Sequence, residues 1–283
     1  MDNESTLNRA TLTPVRPARP VAPWIGGKKQ LAGHIIDVIS RIPHRTYAEA
    51  FVGQGGIFLR RPFRAPVEII NDRSRDVATL FRILQRHYVP FLDTLRWQLS
   101  SRAEFERLMS VRPETLTDLE RAARFLYLQR TAFGGKASGR SFGVSPGTSA
   151  RFDVTKLGPL LEAAHDRLAS VTIECLPWQE FIDRYDGPEI LFYLDPPYWG
   201  SEDDYGPGLW SRAEFDRLAD RLRTLQGRFL LSINDVPEIR KTFAGFWMEE
   251  LSTTYSIARE GSSAGTALEL LIADREPPTD RLL

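Results

Sequence analysis

The chain has 283 residues, with 37 Lys and Arg against 37 Asp and Glu, 42% hydrophobic and 26% charged; this is the profile of a soluble globular protein with mass enough for one large domain or two ordinary ones. A single cysteine, Cys175, excludes an internal disulfide, and four histidines with no ligand spacing leave no metal site to expect. No apolar run has the length of a membrane span and the Pro/Arg-rich start has no signal-peptide core, so a cytoplasmic protein with a flexible segment over 1–22 is expected.

PWIGGKKQL, over 23–31, is a Gly-Gly turn carrying Lys28 and Lys29 into a helix. It lacks the hydroxyl residue and the spacing of a P-loop, which excludes nucleotide triphosphate hydrolysis. Trp24 is either a ring that stacks on a ligand or a core anchor. A strand is expected over 47–52, stopped by Gly53-Gln54-Gly55-Gly56, and a second over 67–70, ending at Asn71-Asp72. Glycines just past a strand allow a tight turn and bring a ligand against the main chain. Asp72, about twenty residues further on at the end of the next strand, is placed to accept from both hydroxyls of a ribose.

From 74 to 128, Leu, Phe and Ile recur at helical spacing, with breaks near Pro90 and Pro113. The Gly/Ser-rich stretch 131–150 reads as loop. Arg121, Arg124, Arg130, Lys136, Arg140 and Arg151 follow one another without an intervening acid. They form either a phosphate-tracking surface or a solvated helix face with a basic loop. A helix is expected over 156–168 and strands over 171–175, 190–194, 228–233 and 267–273. SRAEFERL (101–108) and SRAEFDRL (211–218) each read as a capping box opening an amphipathic helix. Strands alternating with helices imply an α/β sheet wound on both faces, and the helical block 77–150, too long for a crossover, reads as an inserted subdomain.

The stretch YLDPPYWG (193–200) drives a buried strand into Asp195-Pro196-Pro197-Tyr198. Two prolines hold the backbone extended and remove two amide donors, so the turn offers acceptors only: the Asp195 carboxylate and the Pro196 carbonyl. Tyr198 adds a flat face. This suits a planar ring with an amino substituent, whose nitrogen lone pair becomes more nucleophilic when its hydrogens are drawn out of plane. A base inside a duplex reaches such a pocket only by flipping out.

PWIGGK, AEAFVGQGG, INDRSRD, FLYLQRTAFGG and YLDPPY, in this order, resemble the Dam-type adenine-specific DNA methyltransferases over nearly all of 24–273. The resemblance implies a Rossmann-like seven-stranded methyltransferase sheet (23–76 and 151–283) with an inserted, mostly helical target-recognition subdomain (77–150), S-adenosylmethionine as cofactor and double-stranded DNA as substrate. By position, Trp24, Lys28, Glu49, Phe51, Gly53, Gly55, Asp72 and Asp195 would hold the cofactor. Asp195, Pro196, Pro197 and Tyr198 would hold the adenine, and Arg130, Lys136 and Arg140 the DNA. A partner restriction nuclease is left open.

The chain departs from the family with Ile25 for Ala, Ala50 for Pro, Gln129 for Asn and Gly134 for Asn. The last two lie where DNA contact is expected, so GATC is not assumed as the target. Direct methyl transfer needs no metal and no covalent intermediate. Cytosine-carbon methylation needs a nucleophilic Cys, and Cys175 reads as a buried residue. The acidic loop 200–208 is expected to close over the flipped base through Tyr205 or Trp210. Methylation of adenine in structured RNA, or a catalytically silent binding relative, are the alternatives.

Overall fold

The computed structural model describes residues 12–24, 26–136, 138–143, 147, 150–202, 208, 210–254 and 266–279. In chain order come β1 (Thr13–Pro14), α1 (Ala32–Arg41), β2 (Thr46–Glu49), β3 (Phe63–Arg64), β4 (Val67–Asn71) and α2 (Arg75–Arg86). The helices α3 (Tyr88–Arg96), α4 (Arg102–Ser110), α5 (Asp118–Thr131) and α6 (Val154–Leu168) follow. Then come β5 (Thr172–Glu174), α7 (Trp178–Tyr185), β6 (Ile190–Leu194), α8 (Arg212–Arg223), β7 (Arg228–Asn234), α9 (Pro237–Thr242), β8 (Trp247–Thr254) and β9 (Thr266–Ala273).

Seven strands form one sheet in the order β5-β4-β2-β6-β7-β9-β8, with β9 antiparallel to both of its neighbours and the other pairings parallel. β6 shows why the sheet is covered on both faces. All five of its residues are buried: Leu191 and Tyr193 point into one apolar cluster, and Ile190, Phe192 and Leu194 into the other. This is the period-two alternation of a strand packed on each side. α1, α2, α5 and α6 cover the first face; α7, α8 and α9 cover the second.

The predicted strands are all present; the two-residue β1 and β3 and the sheet strand β8 were not foreseen. The segment expected to be flexible over 1–22 is packed from Leu12 onward. Leu12, Ala18, Val21 and Ala22 are buried, β1 pairs with β3, and Ala18 N donates to Leu59 O at 2.8 Å; residues 1–11 lie outside the described residues. The boundary at 76/77 falls inside α2, a helix that returns from β4 onto the sheet. Phe91, Leu95, Phe105 and Leu126 of the helical block share one core with Tyr47, Ile70 and Leu191 of the sheet. Ser101 caps α4 by accepting from Glu104 N at 3.1 Å, but Ser211 makes no side-chain cap, and Glu214 instead accepts from Trp178 and Gln179. The full capping box belongs to Thr117 and Glu120 at α5.

Candidate active site

The strand order reverses at β2, with β4 on one side and β6 on the other, and ligands of open α/β sheets bind beyond the carboxyl ends at such a switch point. Here the ends of β2 (Glu49), β4 (Asn71) and β6 (Leu194) deliver their following loops to one cleft of about 590 Å3. That volume accommodates a nucleoside carrying an amino-acid tail. Trp24, Lys28, Glu49, Phe51, Gly53, Gln54, Asp72, Tyr193, Asp195 and Pro197 all line it.

Asp195 stands just past β6 with a side chain 23% exposed. Lys28 Nζ lies 2.8 Å from its Oδ1 and 3.4 Å from Glu269 Oε2, and also donates to Tyr198 Oη. Burial alone would lower the Lys28 pKa, but the attraction of Asp195, Glu269 and Tyr193 outweighs it, so the pKa rises and the ammonium stays charged. Burial likewise raises the Asp195 carboxyl, against the pull of Lys28. Ser232 on β7 donates to Asp195 Oδ1 at 3.2 Å and bonds to the Tyr193 hydroxyl at 2.7 Å. Asn234, also on β7, fixes the turn from outside: its Oδ1 accepts from Trp199 N at 3.0 Å and its Nδ2 donates to Trp199 O at 3.1 Å. The ammonium therefore sits on the Asp195 carboxylate, one of the two acceptors expected for an amino group on a planar ring.

The glycine turn forms the next wall. Gly53 has φ +51° and sits against the Trp24 indole, where a Cβ would lie 2.7 Å from Nε1. Its N–H donates to Asp72 Oδ2 at 2.9 Å, while Ser74 N donates to Oδ1 at 2.8 Å. Burial raises the Asp72 carboxyl to about 6 against these two bonds. Glu49 accepts from the Tyr47 hydroxyl at 2.7 Å, and burial raises its carboxyl to about 8.

The helical block supplies the roof. Phe125 of α5 meets Trp24 edge-to-face at 6.4 Å, and the Arg140 guanidinium lies 5.6 Å from the Phe125 ring. Gln129 is fully buried: its Nε2 donates to Pro23 O at 2.9 Å and Gly135 O at 2.6 Å, and its Oε1 accepts from Arg140 at 3.1 Å.

Comparison with known families matches residues 24–257 to the D12 class N6 adenine-specific DNA methyltransferases. The chain belongs to this family. It is 22% identical over 249 residues to the Type II methyltransferase M.CviBI of Paramecium bursaria Chlorella virus NC1A, covering 87% of this chain and 95% of that protein. It is 24% identical over 278 residues to the Type II methyltransferase M1.LlaDCHI of Lactococcus lactis subsp. cremoris, covering 90% and 95%. Against the DNA N-6-adenine-methyltransferase of Escherichia phage P1 the identity is 25% over 281 residues, covering 91% of this chain and 36% of that protein.

For this D12 class methyltransferase the structure redistributes several expected roles. Gly55 faces Leu59, which a Cβ would approach to 2.9 Å, and does not line the cleft, nor does Pro196; Tyr198 meets the cleft through Lys28, whose ammonium lies on its hydroxyl and 4.3 Å from its ring centre. Arg130 is spent on Val21 O (2.7 Å) and Arg151 O (3.3 Å), clipping the N-terminal segment to the helical block. Arg121 pairs with Asp76, Arg124 donates to Leu108 O, and Arg151 donates to Ala132 O. Of the six cations read as a strip, Lys136 alone is exposed; Arg121, Arg124 and Arg130 are committed to the packing around α5, Arg151 to the carbonyl at its end, and Arg140 to the cleft and Gln129. Gln129 holds the Trp24 loop. Trp210 is buried beside Phe51 at 5.5 Å as part of the wall, not a lid, and Tyr205 lies outside the described residues. Cys175, expected to be buried, is exposed. Ser232 and Glu269 were missed. Both interrupt apolar strands, RFLLSIN and TALELLIA, and that interruption was the available signal.

Arg140 lines the cleft, and burial lowers its pKa to about 10. Arg140→Ala is therefore expected to weaken cofactor binding about five- to tenfold while leaving the salt dependence of DNA binding unchanged. Lys136→Glu is expected to do the reverse and flatten that dependence. Calorimetry on the cofactor product and a salt titration on duplex DNA separate the two effects; interchanged results would return Arg140 to the DNA surface.

Proposed function

We propose that this chain methylates the exocyclic amino group of an adenine flipped from duplex DNA, with S-adenosylmethionine held in the cleft at the β2/β6 switch point. The observation carrying this reading is the Lys28 ammonium seated between Asp195 and Tyr198, which marks a site built for an amino group beside a ring. Bound S-adenosylmethionine supplies a methyl group activated by a positive sulfonium. Asp72 would hold the ribose, since each carboxylate oxygen keeps lone-pair capacity beyond its one backbone bond. Phe51 and Trp24, both of which line the cleft, would pack against the cofactor.

For the adenine to enter, Lys28 withdraws from Asp195 toward Glu269, its second carboxylate neighbour. Asp195 then accepts from the adenine amino group, and its burial-raised proton affinity makes it a competent acceptor of the proton that group sheds. Pro197 and Tyr198 shape the ring's berth. Lys136, with Phe133 half exposed on the preceding turn, is the DNA-facing candidate.

The test is labelled methyl transfer from S-adenosylmethionine to unmethylated duplex DNA and, in parallel, to structured RNA, with the product nucleosides resolved by mass. Label on the adenine amino group of DNA is the expected result. Label on RNA alone, or binding of the cofactor without transfer to either, would overturn the reading. A pH dependence follows from Asp72. Above pH 6 it is a carboxylate that accepts two hydroxyl hydrogens, and below it is an acid carrying its own. Affinity for S-adenosylhomocysteine is expected to fall about tenfold from pH 7.5 to pH 5, and Asp72→Asn to be weaker throughout and flat over that range. A sloping profile in the variant would assign the titration elsewhere.

A further inference from the structure

Gln54 has no role in the reading above, yet its position is unusual. It is 2% exposed, it lines the cleft, and neither Oε1 nor Nε2 meets a hydrogen-bond partner among the described residues. A buried amide left unpaired is a net cost to folding, and native chains retain one mainly where something else completes it.

The surroundings limit what that can be. Gln54 sits in a turn whose first glycine donates to Asp72 and abuts the Trp24 indole, and Gly56 at the far end approaches the Lys28 backbone. It therefore lies between the carboxylate assigned to the ribose and the loop that leads to Lys28 and Asp195. An α-amino acid, with an ammonium to donate and a carboxylate to accept, satisfies both atoms at once, and it is the part of the cofactor left to place once the ribose is on Asp72.

We infer that Gln54 binds the α-amino-carboxylate end of the cofactor, its Nε2 donating to the carboxylate and its Oε1 accepting from the ammonium. This rests on the cofactor reading above and adds a residue that confers selectivity for the amino-acid tail over the bare nucleoside.

The experiment is titration calorimetry of the parent protein, Gln54→Leu and Gln54→Met with two ligands. S-adenosylhomocysteine carries the tail; 5′-methylthioadenosine shares the thioether nucleoside and lacks it. Leu and Met keep the bulk and remove both polar atoms, and Met adapts if the branched side chain does not fit. The expected result is S-adenosylhomocysteine weakened about ten- to a hundredfold, with 5′-methylthioadenosine changed by less than about twofold. The melting temperature without ligand should be unchanged or higher, because the unpaired buried amide is gone. Equal losses for both ligands would place Gln54 at the nucleoside or in the turn's own folding and overturn the inference. So would an unchanged affinity for S-adenosylhomocysteine, which would mean that a trapped water satisfies the amide. If the parent protein binds neither ligand, the cofactor reading itself fails, a result distinct from these.

Discussion

Asp195→Asn is expected to lower methyl transfer by about 10^3-fold while S-adenosylhomocysteine binding survives. The amide keeps the shape but presents N–H2 as well as an oxygen, and it cannot take a proton. Its effect on stability comes through Lys28, whose ammonium is buried and, among the described residues, keeps Glu269 at 3.4 Å as its charged partner. Leaving a buried cation short of its counter-charge costs about 3 kcal/mol, the low end of the range because Glu269 remains. Adding Lys28→Met and Glu269→Gln, so that no member of the buried cluster keeps a charge without its counter-charge, should recover most of that stability and none of the activity. Single-turnover transfer of labelled methyl, together with thermal melts of the parent, single and triple variants, checks both parts. Transfer within about tenfold of the parent in Asp195→Asn would remove Asp195 from the chemistry. A triple variant no more stable than the single would mean that the uncompensated Lys28 ammonium is not the source of the loss.

The largest stability effect lies below the cleft. Glu68 on β4 is fully buried between Arg61, at 2.8 Å, and Arg167, which it meets twice at 2.5 and 2.9 Å. Arg61 also lies 3.6 Å from the centre of the Tyr47 ring, and Arg167 4.1 Å from that of Phe58. Removing this hydrogen-bonded carboxylate leaves two guanidiniums buried side by side, because both donate to Glu68 Oε1. Glu68→Gln is therefore expected to lower the unfolding free energy by about 3–5 kcal/mol. For a chain of this size that is a fall in melting temperature on the order of 10 °C. None of the three lines the cleft, so methyl transfer at a permissive temperature should stay close to that of the parent. Denaturant titration beside an activity assay at low temperature makes the comparison. A loss below about 1 kcal/mol would show that water reaches the triad.

Much of the site could be read along the chain because it is local. Asp72 and Asp195 each end a strand, and the glycines follow one; strands buried on both faces announce themselves as short apolar runs. β6 and β7 are cases in point, with almost every residue apolar. β8 escaped because it is an edge strand carrying Glu249 and Glu250, with no fully buried residue from Trp247 to Ser252. The N-terminal stretch escaped because its order comes from β3 and Leu59, about fifty residues away.

Fold class, the order of the motifs and the carboxylates that close each strand follow from the chain alone, since backbone propensity, apolar period and turn chemistry act over a few residues. Which charges meet the outside was set by packing. Arg121, Arg124 and Arg130 read as a basic strip, yet the packing of α5 commits them to Asp76, Leu108 O and Val21 O. Lys28, Ser232 and Glu269 come from three distant segments, and the sheet order sets them around Asp195. Side-chain charge acts through space, at distances that chain spacing does not encode, so the partners of a cation are known only once the elements have packed.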